Sequence, residues 1–319
     1  MHMADALVSA PVAITAGVAA AALIVVASKQ VSRIRRDDIL PLMGVMGAFV
    51  FAAQMINFSI PGTGSSGHII GGVLLGALMG PWAGFITLAS VLIIQCLVFA
   101  DGGLMALGCN LINMGAMSCL VAYPLIYSPI AGRSVSKGRI MLASVVACVV
   151  GLELGALLVT GETELSGITA LPTAEFLMFM LPIHLAIGIC EGLATGTVLC
   201  FVASYKPDML YNAKRTYSET GRRMSPRTRN VLIVLGAVAL VFAVTFSWLA
   251  SSDPDGLEWS ISRITGATEL APAAMPPTAV LPDYDSTFSG VIGGVIVMAL
   301  LWGFCSIIFR RTKKSHVKA

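Results

Sequence analysis

The chain has 319 residues, of which 56% are hydrophobic and only 12% are charged, and its mean hydropathy is +0.86. A soluble domain carries about 25% charged residues, so the composition excludes a soluble globular protein and indicates an all-α, polytopic membrane protein. The net charge of +3 does not indicate a nucleic-acid partner, because all the basic residues except Arg263 lie in four clusters, at 29–38, 129–139, 205–229 and 310–319. No G-x-x-x-x-G-K-[ST] motif occurs, so the chain carries no recognisable ATP site of its own.

Apolar runs of about 20 residues predict membrane-spanning helices. The positive-inside rule places the four basic clusters in the cytoplasm, with the N-terminus outside and the C-terminus inside. Nine spans are predicted, near 8–28, 39–58, 68–87, 88–100, 103–127, 139–160, 175–204, 230–250 and 288–309. The fourth is short and abuts Asp101, so we expect it to be tilted or broken.

The spans fall into two groups. Residues 1–204 predict a dense bundle of seven helices, followed by a basic cytoplasmic linker at 205–229. Residues 230–319 predict a two-helix hairpin whose outer loop, 251–287, is rich in Pro, Asp and Glu. This hairpin has the character of a separate module fused to the bundle.

The N-terminus, Met1-His2, has the donors of a metal chelate. No basic residue precedes Lys29, so the first span does not have the pattern of a cleaved signal peptide, and we expect an intact Met1 amine on the outer side. That amine, the backbone nitrogen of His2 and its Nδ1 close two fused rings on one metal ion. Nickel(II) and copper(II) favour such tetragonal nitrogen sites.

A fourth nitrogen is available from His68. The stretch "SIPGTGSSGHIIGG" places His68 at the outer start of the third predicted span, on the same side as Met1. Taken alone, His2 is typical of a frayed end and His68 of an interfacial side chain. Only the pair, on one side of the membrane, favours a metal site, and binding there releases protons and weakens in acid.

Polar residues within or beside the spans are costly in a bilayer and tend to be functional. They are Gln54, Asn57, Gln95, Asp101, Asn110, Asn113, Glu153, His184 and Glu191. Helical spacing puts Asn110 with Asn113, and His184 with Glu191, on common faces. Such groups could orient metal ligands through hydrogen bonds. The alternative is hydrogen bonding between helices that only holds the bundle together.

Four motifs in order resemble a known family: "MH" at the N-terminus, "GHIIGG", "ADGGLMALGCNLINMG" and "HLAIGICEGLATGT". They resemble the CbiM/NikM type, the substrate-binding membrane components of energy-coupling-factor transporters for cobalt and nickel. The resemblance covers about residues 1–204. The stretch "SSDPDGLEWSISR" is similar to the PDGLE module of the CbiN/NikN partner component, here fused to the bundle.

The resemblance implies a non-enzymatic transport component of the cell inner membrane, without a catalytic cofactor. It implies Ni2+ or Co2+ as substrate, held in a plane by the Met1 amine, the amide nitrogen and imidazole of His2, and the imidazole of His68. It also implies a transmembrane coupling protein and a pair of ATPases as partners. The polar residues Gln54, Asn57, Gln95, Asp101, Asn110, Asn113, His184 and Glu191 are then expected to support the ligands.

Two other functions remain open from the residues alone. A stand-alone secondary transporter or channel would relay ions or protons through Asp101, Glu153 and Glu191. A membrane enzyme would use His184 and Glu191 as acid and base. The secondary transporter gives the N-terminal histidine no role.

Overall fold

The structure is a computed structural model that describes residues 1–34, 38–133, 136–213, 225–245, 250–268, 270 and 287–316. Its regular elements are mostly helical. The helices are α1 Ala10–Val31, α2 Ile39–Gln54, α3 Gly72–Met79, α4 Pro81–Phe99, α5 Leu107–Ala131, α6 Lys137–Ser166, α7 Thr173–Tyr205, α8 Pro226–Thr245, α9 Gly256–Thr265 and α10 Thr287–His316. Two short strands, β1 Phe58–Ile60 and β2 Ser65–Gly67, pair antiparallel.

Six of the described helices are long and apolar enough to cross a membrane, namely α1, α4, α5, α6, α7 and α8. Two shorter apolar helices, α2 and the segment Ser289–Gly303 of α10, accompany them. The apolar window of α1 is only 22% buried, whereas that of α4 is 78% buried. An apolar helix whose surface faces outward fits a lipid environment, so the chain is a multi-pass membrane protein. The count of nine spans and their orientation stay predictions.

The third and fourth predicted spans are divided differently in the structure. We predicted a long helix near 68–87 and a short one near 88–100, whereas the chain forms the short α3 and then the long α4. The break lies at Gly80, whose φ of +86° disfavours any residue with a Cβ. Pro81 then begins α4, where a backbone N–H is not needed. The helix therefore breaks earlier in the chain than hydropathy alone indicates.

Glycines let the helices of the bundle approach closely. Where α3 and α4 cross, a Cβ on Gly84 would lie 2.9 Å from the backbone nitrogen of Gly76. Where α6 and α7 cross, a Cβ on Gly192 would lie 2.4 Å from Cα of Val145. Such contacts between small residues stabilise helix pairs in lipid.

The two long helices of the C-terminal region pack on the bundle through α2. A Cβ on Gly47 of α2 would lie 2.9 Å from side-chain atoms of Val297 and Leu301 on α10. The shorter α9 packs against α7 and buries Leu257 and Ile261. The C-terminal region is thus in direct contact with the bundle, and its division into domains at 204 and 230 stays a prediction.

Candidate metal centre

The N-terminal residues turn inward and are fixed by hydrogen bonds. The backbone nitrogen of Met3 donates to Asn110 Oδ1 at 2.8 Å, and the Met3 carbonyl accepts from Gly103 N at 2.9 Å. The carboxylate of Asp5 accepts from the backbone nitrogens of residues 105 and 106, just before α5. Met1 is 4% exposed and Met3 is fully buried. The terminus therefore lies inside the protein.

Glycines make room for this terminus. A Cβ on Gly103 would lie 1.9 Å from Asp5 Oδ1, and one on Gly155 would lie 2.8 Å from the terminal methyl of Met1. Because such separations are far below van der Waals contact, larger residues at these positions would displace the N-terminal segment.

The loop that carries His68 is fixed from within the bundle. It follows the β1–β2 hairpin and leads into α3. The carboxylate of Glu191 on α7 accepts from the backbone nitrogens of Ile70 and Gly71, at 3.0 and 2.9 Å. Gln54 on α2 donates to the carbonyl of Ile70 at 2.8 Å. His68 is 8% exposed, so its imidazole lies in the interior. Hydrogen bonds to side chains of α2 and α7 fix the loop that carries it.

The three predicted ligand residues meet at this point. The Met1 amine nitrogen lies 3.4 Å from His68 Nε2, and the imidazole rings of His2 and His68 are stacked with centroids 5.1 Å apart. Two nitrogens bound side by side in a square plane, at about 2.0 Å from a metal, are about 2.8 Å apart. The 3.4 Å between Met1 N and His68 Nε2 is about 0.6 Å longer than that separation, so a small inward movement of either nitrogen would bring both to one ion.

The donors here are not a cluster of side chains. Within the residues that the structure describes, no three His, Cys, Asp or Glu side chains form a group that could hold a metal. The four-nitrogen set predicted from the sequence takes two of its donors from the main chain, so a search for side-chain clusters does not test it.

A chain of hydrogen bonds connects the His68 loop to the imidazole of His2. The carbonyl of Ile70 can only accept, so Gln54 must turn its amide NH2 toward it and its oxygen toward Gln95. Gln95 then turns its NH2 toward Gln54, at 2.6 Å, and its oxygen toward His2 Nε2, at 3.3 Å. This chain of hydrogen bonds favours a hydrogen on His2 Nε2, which leaves the lone pair on Nδ1, the atom that the chelate requires.

His2 Nδ1 lies 3.2 Å from Asp101 Oδ1. The Nδ1 lone pair and the carboxylate oxygen both carry negative charge density. A cation near the two atoms therefore stabilises their close approach. Asp101 thus places negative charge beside the nitrogen that would bind a metal ion.

Burial keeps both imidazoles neutral. The pKa of His2 is lowered to about 3, mainly by burial and further by the charge of the N-terminal amine. The pKa of His68 is lowered to about 3 by burial first, then by the same amine and by His2. Neutral imidazoles have the lone pairs that metal binding needs.

One acidic residue of the C-terminal region also reaches the site. Asp255 Oδ2 accepts from the Met1 amine at 2.5 Å, and its side chain is 15% exposed. Burial alone would raise the pKa of Asp255, but the charge of the amine and the proximity of His68 hold it below its usual value.

The remaining predicted residues divide between the site and its surroundings. Asn113 donates to Met3 Sδ and to Glu162. His184 Nδ1 donates to the carbonyl of Met180, and its Nε2 has no hydrogen-bond partner among the described residues. Asn57 bonds Ser251 through its backbone oxygen. Of the predicted residues, those brought to the chelate or its loop are Met1, His2, His68, Gln54, Gln95, Asp101, Asn110 and Glu191.

Sequence reasoning missed Asp5, Glu162 and Asp255. Asp5 and Glu162 belong to no sequence motif that would mark them as candidates. Asp255 begins a D-x-x-E capping pattern, which predicts the start of a helix. That pattern does not indicate a contact with the Met1 amine, 254 residues away.

A family model described as the cobalt uptake substrate-specific transmembrane region, CbiM, matches residues 2–209. The chain belongs to the CbiM family. A second model, the PDGLE domain, matches residues 229–310, so a CbiM region and a PDGLE module are fused in one chain.

Relatives and solved structures agree with this family. A putative fused nickel transport protein NikMN of Archaeoglobus fulgidus is 32% identical over 91% of this chain and 93% of its own length. The fused nickel transport protein NikMN of Rhodobacter capsulatus is 27% identical over 95% of this chain and 86% of its own. A crystal structure described as a truncated transition metal transporter is 31% identical, with a TM-score of 0.57, and covers 64% of this chain and 99% of that chain. The family is one of membrane transport components rather than enzymes.

Proposed function

We propose that this CbiM-family protein is the substrate-capture component of an ATP-driven energy-coupling-factor importer for Ni2+ or Co2+. The ion is held by the Met1 amine, the amide nitrogen and Nδ1 of His2, and Nε2 of His68. The observation that carries this proposal is the 3.4 Å approach of the buried Met1 amine to His68 Nε2, with the His2 ring stacked beside it.

The polar surroundings support a cationic substrate. Gln95 leaves the His2 Nδ1 lone pair free, and Asp101 and Asp255 place two carboxylates beside the proposed ligands. A buried ion needs such compensation, because an isolated charge in a dry interior is strongly unfavourable. The planar four-nitrogen arrangement with a deprotonated amide favours nickel(II) over cobalt(II).

The proposed organisation follows the two family matches. Residues 1–204 form the seven-helix capture unit, 205–229 the cytoplasmic linker and 230–319 the two-helix PDGLE module. The N-terminus and the site face outward. A transmembrane coupling protein and ATPases supply the energy, since the chain lacks a recognisable ATP motif.

Two of the three carboxylates of the competing proposal have other partners in the structure. A secondary transporter would need Asp101, Glu153 and Glu191 to exchange ions or protons. Glu191 instead accepts two backbone hydrogen bonds from the His68 loop, and Asp101 contacts His2. These roles favour the capture function.

The four histidines allow a matched test. We expect His2→Ala or His68→Ala to abolish nickel and cobalt uptake by cells that also express the coupling protein and ATPases. His316→Ala, near the C-terminus, is the control and should transport normally. Uptake should also stop when the ATPases are absent. Normal uptake by His2→Ala, or uptake without ATPases, would contradict the proposal.

A further inference from the structure

The PDGLE stretch, Pro254 to Glu258, begins α9 at the metal site. The Asp255 carboxylate caps the helix: its Oδ1 accepts from the backbone nitrogens of Leu257 and Glu258, at 2.8 and 2.9 Å. Glu258 returns a bond, accepting from Asp255 N at 3.0 Å. This reciprocal pair is a capping box, and it fixes the position of the Asp255 side chain.

The other residues of the PDGLE stretch pack the start of α9 against the bundle. A Cβ on Gly256 would lie 3.0 Å from Ile187 and 3.1 Å from His184, so the glycine lets the backbone approach α7. Leu257 is 2% exposed. The carbonyl of Pro254 accepts from Ser66 N, next to the His68 loop, at 2.8 Å.

Asp255 therefore has two functions at one carboxylate. Oδ1 caps α9, and Oδ2 contacts the Met1 amine. If that amine binds a metal at about 2.0 Å, the 2.5 Å contact places Oδ2 within about 4.5 Å of the ion. An amine bound to a metal keeps two hydrogens, so it can still donate to Asp255.

We propose that Asp255 is a positioning residue for the metal site, and that it holds the Met1 amine in front of His68 from the fused PDGLE module. This inference rests on the proposed function. It gives the Asp of the motif a specific role, because the docking of α9 on the bundle then fixes the first of the four metal ligands.

Charge alone does not decide the effect of Asp255 on affinity. Before binding, the carboxylate faces an ammonium with one positive charge. After binding, a divalent ion with one deprotonated amide and a neutral amine also carries one net positive charge. The carboxylate stabilises both forms, so its effect on affinity is chiefly that of holding the amine in place.

The test compares Asp255→Asn with Asp253→Asn in the full-length protein with an unmodified N-terminus. Asn is a good N-cap, but its one acceptor oxygen cannot both cap α9 and hold the amine. Asp253 is the matched control, because its carboxylate accepts from Ser59 and Ser251. We expect Asp255→Asn to weaken nickel binding about 10- to 100-fold, and Asp253→Asn to bind as the original protein does. Asp255→Ser, which keeps a capping hydroxyl, should behave as Asp255→Asn.

A second measurement needs no metal. The rate at which an acylating reagent modifies the Met1 α-amine is followed by mass spectrometry of the N-terminal peptide in metal-free protein. Freed from its carboxylate, the amine should react several-fold faster in Asp255→Asn and Asp255→Ser, and at the original rate in Asp253→Asn. A general loss of folding would instead accelerate labelling throughout the chain.

The outcomes separate this inference from the proposed function. If the original protein binds nickel and Asp255→Asn binds it equally tightly, or if its amine reacts at the original rate, the positioning role is wrong and the site stands. If His2→Ala binds nickel as well as the original protein, the proposed site itself is wrong.

Discussion

Extending the N-terminus by two residues tests the role of the Met1 amine. The added residues convert the amine of Met1 into an amide, which carries no ammonium charge and can bind a metal only after it loses its proton. They also move the new terminus by up to about 7 Å, because an extended chain spans about 3.3–3.6 Å for each residue. The amine now lies 2.5 Å from Asp255 and 3.4 Å from His68 Nε2, so both contacts are lost.

The size of the effect follows from the number of interactions removed. Loss of a residue that only orients a ligand typically costs 10- to 100-fold in metal affinity. Loss of the ligand itself should cost more, so we expect nickel affinity to fall by more than about 100-fold. Met1 is 4% exposed, so the extension has to start from a buried position.

A two-residue extension gives a less ambiguous test of the Met1 amine than a one-residue extension. With one added residue, His2 becomes the third residue, and a terminal tripeptide ending in histidine offers four nitrogens without His68. That peptide could bind nickel independently, although we still expect transport to stop. The assay is nickel titration of purified protein whose N-terminus is verified by mass spectrometry, and the control carries the same two residues after Ala319. Wild-type affinity in the N-terminally extended protein would refute the reasoning.

Three further predictions follow from the site. Gln95→Leu breaks the chain of hydrogen bonds to His2, so nickel affinity should fall about 10- to 100-fold. In metal-free protein, ¹⁵N NMR should then show the His2 hydrogen on Nδ1. An unchanged tautomer would contradict this. Because His2 and His68 are neutral at pH 7, each nickel ion should displace about two protons, one from the amine and one from the amide. Calorimetry in buffers of different ionisation enthalpy measures this number, and release of about four protons would show that the imidazoles were charged. Glu191→Ala leaves two buried backbone N–H groups without an acceptor, and each costs about 1–3 kcal/mol of folding free energy. The protein should therefore unfold at a lower temperature. An unchanged unfolding curve would argue against the role of Glu191 in fixing the His68 loop.

Much of the site could be predicted because its chemistry is local in sequence. The order of donor atoms in Met1-His2 is fixed by covalent structure, and His68 is marked by the glycines around it. The cost of polar side chains within membrane spans also placed Gln54, Gln95 and Glu191 among the functional candidates. What the sequence lacked was the direction of their hydrogen bonds, which depends on which carbonyl each amide meets.

The misplaced break between the third and fourth spans has a physical cause. Residues 68–100 are almost uniformly apolar, so hydropathy contains little information about where one helix ends. The dipeptide Gly80-Pro81 was the available signal, since it combines a left-handed glycine with a helix-starting proline.

The contact between Asp255 and Met1 could not be predicted in the same way. It joins the first residue to a loop in the fused module, and no periodicity relates positions so far apart in the chain. Only the packing of α9 against α7 and the β1–β2 hairpin brings the carboxylate to the amine.

The coordination of bound nickel tests the central claim most directly. Protein purified with a free, unmodified Met1 is loaded with nickel and examined by metal analysis and X-ray absorption spectroscopy. We predict one nickel ion per chain with four nitrogen neighbours in a plane, and loss of this signal in His68→Ala. Six-coordinate nickel with oxygen ligands, or a planar signal that survives in His68→Ala, would contradict the account.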